Sequence, residues 1–283
     1  MEQISLNKMP MQGVIPTGIP SLDPLLFGGL PPGSFVLLIG ESGAGCEEFA
    51  YTSIASLSRL KTRSEPKFAT GITLPNRILY ITITRRKEDI IQDISRGFAR
   101  DMRTELKEVH FTDLSDIYFN KSFVPIQWYS KHNGTAEQET GQLSDNILTA
   151  LSNRLDQAPH QSLIVLNTLT ELATQFPAKT TWPEFTAYLR GLQRALKMWG
   201  SCMYLMLTHG ILNPWQECEL GDISDAVIHF QWEVTSTAKR QRVLFINKFR
   251  GVLPQLEEKE LVKFTVKIAP SHGFEVSNIR AVI

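Results

Sequence analysis

Apolar residues gather along the chain in short unbroken runs, and between the runs they recur every three or four positions. Ser34–Ile39 (SFVLLI), Arg77–Ile83 (RILYITI), Ser162–Leu166 (SLIVL) and Cys202–Leu207 (CMYLML) are apolar stretches of strand length. Such runs suit strands covered on both faces. Glu47–Leu60, Lys87–Arg103, Ser144–Gln157 and Trp182–Trp199 carry helical spacing, and Ile90, Ile94 and Phe98 share one face of the second. Strands and helices alternating in this way predict an α/β fold, a mostly parallel sheet with helices on both faces. From Ala226 the rhythm changes. Ala226–Val234, Arg242–Lys248 and Val262–Ile268 read as strands at short spacing, with Gly251–Lys259 as a loop between the last two. They predict antiparallel strands extending the sheet edge. Lys61–Pro75 and Asn120–Gln142 are polar, and read as loops or partner-binding surfaces. No linker or internal repeat divides the sequence, so residues 1–16 are expected as an N-terminal extension and 17–283 as one domain.

Composition narrows the function classes. Lys and Arg number 29 and Asp and Glu 29, so the formal net charge is zero. That balance gives no global attraction to nucleic acid or to an anionic membrane. No apolar run approaches the roughly 20 residues of a membrane-spanning helix, and Met1–Pro16 has neither a signal-peptide core nor a basic targeting character. The expectation is a cytoplasmic protein. Cys46, Cys202 and Cys218 are too scattered for a disulfide framework or a zinc site, and the six histidines show no metal-ligand spacing.

The most informative segment is Gly40-Glu41-Ser42-Gly43-Ala44-Gly45-Cys46-Glu47, set between a buried strand and a helix. Strand, glycine loop and helix in that order are the setting of a P-loop, G-x-x-x-x-G-K-[ST]. The loop's glycines let successive N–H groups face a phosphate, helped by the positive end of the helix. Gly40 and Gly45 hold the required spacing, but the lysine position is Cys46 and the hydroxyl position Glu47, with Glu48 next. Exchanging a cation for a thiol removes a contact of roughly 1.5–3 kcal/mol. Two carboxylates in the first helical turn would repel a polyphosphate, yet each is stabilised there by about 0.3–1 kcal/mol. They read as a built-in anion at the helix's phosphate-binding end. The plainer alternative is that Gly40–Gly45 is a tight strand-to-helix turn.

Thr17-Gly18-Ile19-Pro20-Ser21-Leu22-Asp23 and Gly28-Gly29-Leu30-Pro31-Pro32-Gly33-Ser34 lead straight into this loop. With them the chain resembles the RecA/RadA superfamily, and within it the KaiC-like branch, whose pattern runs T-G-x-x-x-L-D, then GG-L-P-x-G, strand and Walker A loop. The resemblance extends from about Thr17 to Val276. Leu79–Ile83 is similar to the second strand, Leu163–Leu172 to the Walker B strand and the residues after it, and Leu207–Gly210 to the sensor strand. Lys248-Phe249-Arg250-Gly251 looks like the K-x-R-G segment, and Phe264–Val266 with His272–Phe274 like the closing strand pair. The fold implied is a RecA-like P-loop NTPase core with antiparallel C-terminal strands.

The departures bear on function. Cys46 and Glu47 replace the Walker A Lys and Thr, Asn167 replaces the Walker B aspartate, and Thr84 and Arg85 stand where the family has its water-activating Glu-Glu pair. A neutral amide is a poor ligand for a hard cation, and Thr84 cannot act as a general base near neutral pH. The resemblance thus implies a pseudo-ATPase without a cofactor, the losses arguing against both ATP and Mg²⁺. It would act through protein contacts as a regulatory, signalling or assembly subunit, in a homo- or hetero-oligomer with a KaiC/RecA-like protein. Family members reach a neighbour's γ-phosphate with the K-x-R-G segment, a role that would fall to Lys248 and Arg250 here; the alternative is a solvated edge strand. Two other functions stand beside this one. One is a residual nucleotide-binding ATPase using Arg85 or Lys248 in place of the lysine. The other is a RadA-type paralogue binding DNA, disfavoured by the charge balance and the lack of a DNA-binding module.

Other candidates are weaker. Arg85-Arg86-Lys87 reads as a positive spot at the site's rim or a solvated helix start. Thr208-His209 reads as a hydrogen-bonded structural pair. Trp128, Tyr129 and Trp215 read as interface anchors or partial core.

Overall fold

A computed structural model describes residues 13–62, 71–98, 103–120, 122–129, 146–177, 179–235, 237–258 and 262–278. Its strands are β1 Phe35–Gly40, β2 Ile78–Thr82, β3 Val109–Asp113, β4 Leu163–Asn167, β5 Cys202–Thr208, β6 Ala226–Val234, β7 Arg240–Phe249, β8 Lys263–Ala269 and β9 Gly273–Asn278. Its helices are α1 Cys46–Thr62, α2 Lys87–Gly97, α3 Ser115–Phe119, α4 Ile126–Tyr129, α5 Ile147–Asp156, α6 Leu169–Ala173, α7 Trp182–Trp199, α8 Pro214–Ile223 and α9 Leu253–Glu258. The strands form one sheet in the order β3-β2-β4-β5-β1-β6-β7-β8-β9. Pairing is parallel from β3 across to β6 and antiparallel from β6 to β9. The expected α/β architecture is the one observed.

Every residue of β1 is buried, and its side chains alternate between two cores. Val36 and Leu38 face the core closed by α1 and the C-terminal strands. Phe35, Leu37 and Ile39 face the core closed by α5, α7 and α8. Phe49 of α1 is fully buried in the first core, with the rings of Tyr204, Phe230 and Phe274 at 5.6, 5.5 and 5.4 Å. Val14 and Ile15 are buried as well, Ile15 bridging to Leu30. The outer edge of β9 is closed from within the chain. The N–H of Phe274 donates to Thr52 Oγ1 and that of Val276 to Ser21 Oγ, both at 2.9 Å.

Some local expectations need correction. The helix expected over Lys87–Arg103 ends at Gly97. Gly251–Lys259 is not all loop, because α9 forms inside it and buries Leu256, with Val252 buried just ahead. Part of Asn120–Gln142 is the short helix α4. The rest of that segment from residue 130, residues 63–70 of the other expected loop, and residues 1–12 lie outside the described residues.

Candidate functional site

At the C-terminal end of β1 the chain turns sharply. Glu41 N–H donates to Phe230 O at 2.9 Å and Ala44 N–H to Glu41 O at 3.0 Å, and α1 starts at Cys46. Gly40 is needed here: a Cβ on it would stand 2.7 Å from Cys46 Cβ. Gly45 has φ +110°, which disfavours any side chain, and a Cβ there would meet Phe274 at 3.2 Å. The loop's carbonyls are held outward. Ser42 O accepts from Trp232 Nε1 at 3.1 Å and Gly43 O from Arg242 Nε at 2.9 Å. Trp232 N–H in turn donates to Glu41 Oε2 at 3.0 Å. The guanidinium groups of Arg240 and Arg242 lie 4.0 and 4.4 Å from the Trp232 ring. The N–H groups of Ser42, Gly43, Gly45 and Cys46 have no partner among the described residues. A cavity of about 270 Å³ opens beside the loop, lined by Gly40–Gly43, Gly45–Glu48, Thr168 and Met206–Thr208.

The substituted positions take up new contacts. Cys46 Sγ lies 3.9 Å from Leu38 O, and burial, then Glu47 and Glu48, push its thiol well above the usual range. Glu47 turns toward Tyr51 OH at 3.5 Å and Arg85 at 3.6 Å. Partial burial raises its carboxyl, against the pull of Arg85. Arg85 donates to Tyr51 OH at 2.9 Å and pairs with Asp93 of α2. Asn167 is buried and its Nδ2 donates to Tyr80 OH at 2.5 Å, and the rings of Tyr80 and Tyr51 lie with their centroids 6.4 Å apart. Asn167 thus donates to Tyr80, and the Tyr51 O–H points to Glu47. Two bonded groups therefore lie near each other, Asn167 with Tyr80 and Glu47 with Tyr51, and Arg85 clamps the second. Thr84 follows β2 without a hydrogen bond among the described residues.

Glu47, Arg85 and Asn167, singled out by sequence, are thus brought together, but through two tyrosines that the sequence pattern did not single out. Tyr80 sits in the apolar run of β2 and Tyr51 inside α1. The available signal was a polar-tipped ring in a strand run beside Asn167: Tyr80 pairs in register with Val165, two residues before Asn167 on the same face.

Lys248 and Arg250 are not brought to this loop. The loop springs from Gly40, level with Phe230, whereas Lys248 pairs with Val227 at the level of Leu37. Lys248 Nζ donates to Gly221 O at 3.0 Å and Asp222 O at 2.8 Å; burial and then Arg250 lower its pKa. Arg250 pairs with the buried Asp225 at 3.1 Å, which also holds Lys197 Nζ at 3.0 Å and accepts from Phe35 N–H at 3.1 Å. In the basic triplet, Arg86 reaches the carbonyl of Trp128 at 2.7 Å and Lys87 lies 5.4 Å from the Phe111 ring. His209 Nδ1 is 3.0 Å from Glu217, which also accepts from Gly210 N–H at 2.8 Å. Among the described residues no group of three or more His, Cys, Asp or Glu is placed to hold a metal ion, and no helix is long and apolar enough to cross a membrane.

Neither a protein-family model nor a curated protein sequence matches this chain. Among solved structures, a KaiC-like protein from the hyperthermophilic archaeon Pyrococcus horikoshii OT3 is similar at TM-score 0.62 and 19% identity, over 93% of this chain and 98% of that one. The likeness establishes a KaiC/RecA-like fold.

Proposed function

We propose that this chain is a non-catalytic KaiC/RecA-like subunit that works in regulation, signalling or assembly through protein contacts. The observation that carries the reading is the engagement of Asn167 by Tyr80 and of Glu47 by Tyr51 and Arg85. It ties up the positions where the fold's enzymes hold a metal, a hydroxyl ligand and a water-activating base. A triphosphate with Mg²⁺ does not fit these groups. Asn167 presents a neutral amide already bonded to Tyr80, Glu47 adds negative charge beside the loop, and the nearby cation Arg85 is engaged by Glu47 and Asp93. Purified protein is expected to release no phosphate from ATP with Mg²⁺ above background. Turnover that survives further purification and is lost in a Gly45→Val variant would overturn the reading.

The open N–H groups of the loop favour a second reading, nucleotide held without catalysis. A thermal shift separates the two, since a nucleotide at 100 times its Kd stabilises a fold by about 2.7 kcal/mol. No shift at millimolar ATP, with or without Mg²⁺, is the expected result for the first. Within the proposal, Lys248 and Arg250 act on a neighbour only by exchanging their bonds to α8 and Asp225 for that neighbour's ligand. Alanine at both should then lower the ATPase rate of an active partner mixed with this chain, and an unchanged rate confines them to a structural role.

A further inference from the structure

The pairing of β6 with β7 carries one irregularity. Val227 pairs with Lys248 and Ile228 with Ile246, so Asn247 is an extra residue with no opposite number. A bulge of this kind breaks the alternation of a strand and re-aims a side chain. Asn247 and Lys248, adjacent in sequence, both line one groove of about 370 Å³, which α8 closes from the other side. Ile39 of β1 and Val227 of β6 give the groove an apolar floor. His229, two residues after Val227 and on the same face of β6, lines it as well. Gly221 of α8 keeps the groove open. A Cβ there would have Val227 Cγ2 as its neighbour at 3.7 Å, an ordinary contact, so no clash demands glycine. Glycine lowers helix stability relative to alanine, and what it leaves at this position is space.

The donors in this groove are incompletely bonded. His229 meets the His209 ring at 6.4 Å, yet neither its ring nitrogens nor the Asn247 amide has a hydrogen-bond partner among the described residues. Lys248 gives two N–H groups to Gly221 O and Asp222 O and keeps a third. Neither Lys248 nor His229 forms an ion pair among the described residues. Burial first, and then Arg250 for Lys248 and His209 for His229, disfavours the charged form of each. The acidic residues of the lining are already engaged. Glu217 accepts from Gly210 N–H and lies 3.0 Å from His209, and Asp222 lies 3.8 Å from Arg190.

We propose that the groove binds a small organic monocarboxylate, its carboxylate taken by Lys248, Asn247 and His229 and its apolar body laid on Ile39 and Val227. Three donors from two neighbouring strands sharing one apolar groove is the arrangement of a small-molecule site, and the volume lies in the range of such sites. A single negative charge fits better than several, because Glu217 and Asp222 stand in the same lining and repel a phosphate dianion. The site goes beyond the proposed function and does not depend on it. ATP turnover by the purified chain would overturn that function and leave the groove standing, whereas failure of the experiment below would do the reverse.

Cys218 reports occupancy in the full chain. It is exposed in the groove lining, whereas burial raises the thiols of Cys46 and Cys202 and keeps them unreactive. Iodoacetamide should therefore alkylate Cys218 first, as read by mass spectrometry. Either 3-phenylpropionate or indole-3-acetate should slow that reaction with half its effect at about 1 mM or below. The neutral 3-phenylpropanamide should need at least about tenfold more, the loss of a charge-assisted bond. The His229 ring signals should shift with the acid in NMR spectra. Gly221→Leu fills the groove from α8 and should abolish the protection. Lys248→Met should weaken it at least about tenfold; if that variant unfolds early, Asn247→Ala, at an exposed position, should weaken it about threefold. Equal protection by acid and amide, or protection by inorganic phosphate in place of the acids, overturns the proposal. So does protection that survives Gly221→Leu, or none from either acid at about ten times the expected half-effect concentration.

Discussion

Asn167→Asp, which puts a carboxylate back at the Walker B position, is expected to destabilise the fold by about 3–5 kcal/mol at pH 7 and to gain no ATPase activity. Asn167 is buried and its amide donates to the Tyr80 hydroxyl. An ionised Asp could accept from the Tyr80 O–H in place of the amide's donation, but it would be a carboxylate buried from water without a cation partner. Arg85 offers no relief, since it is already held by Glu47 and Asp93. A carboxyl buried there keeps its proton to higher pH in the folded state than in the unfolded chain. Between about pH 4 and that raised value the folded state binds more protons, so stability falls as pH rises. The variant should match the parent near pH 4 and lose ground toward pH 7 in urea titrations. Parent-like stability at pH 7 would mean that the network rearranges to accept the charge.

Phe49→Ala should cost about 3–5 kcal/mol, the range for truncating a fully buried aromatic ring. Phe49 fastens the helix after the glycine loop to β5, β6 and β9 at once, through Tyr204, Phe230 and Phe274. At about 2–4 °C per kcal/mol for a chain somewhat shorter than this one, the midpoint in calorimetry should drop by roughly 6–20 °C. A drop of a degree or two would show that the surrounding rings collapse into the space.

The central strands were legible because a strand covered on both faces must be apolar throughout, as SFVLLI, RILYITI, SLIVL and CMYLML are. β3 was not, since it lies on the sheet edge with His110 exposed and only Val109 fully buried. α8 was missed because its apolar and polar residues are spread around the helix, leaving Gln216, Leu220 and Ile223 as its buried positions. α9 follows Gly251 and contains Pro254, so turn residues hid the burial of Leu256. At the site, the substitutions at 46, 47 and 167 were visible in the motif spacing. The contacts that replaced the expected chemistry were not, because Tyr51, Tyr80 and Asp93 come from three elements that meet only in the folded sheet. The ties of Lys248 and Arg250 were hidden for the same reason: their partners lie more than twenty residues away, around the end of α8.

The two hydroxyls on the outer side of β9 have a consequence for how this protein fails as well as how it folds. An edge strand is ordinarily a template on which a foreign or swapped strand can grow. Here Thr52 and Ser21 fill the hydrogen-bonding slots at Phe274 and Val276. Fibrous growth or strand exchange is thereby steered to the opposite margin at β3, which has a strand neighbour on one side only among the described residues.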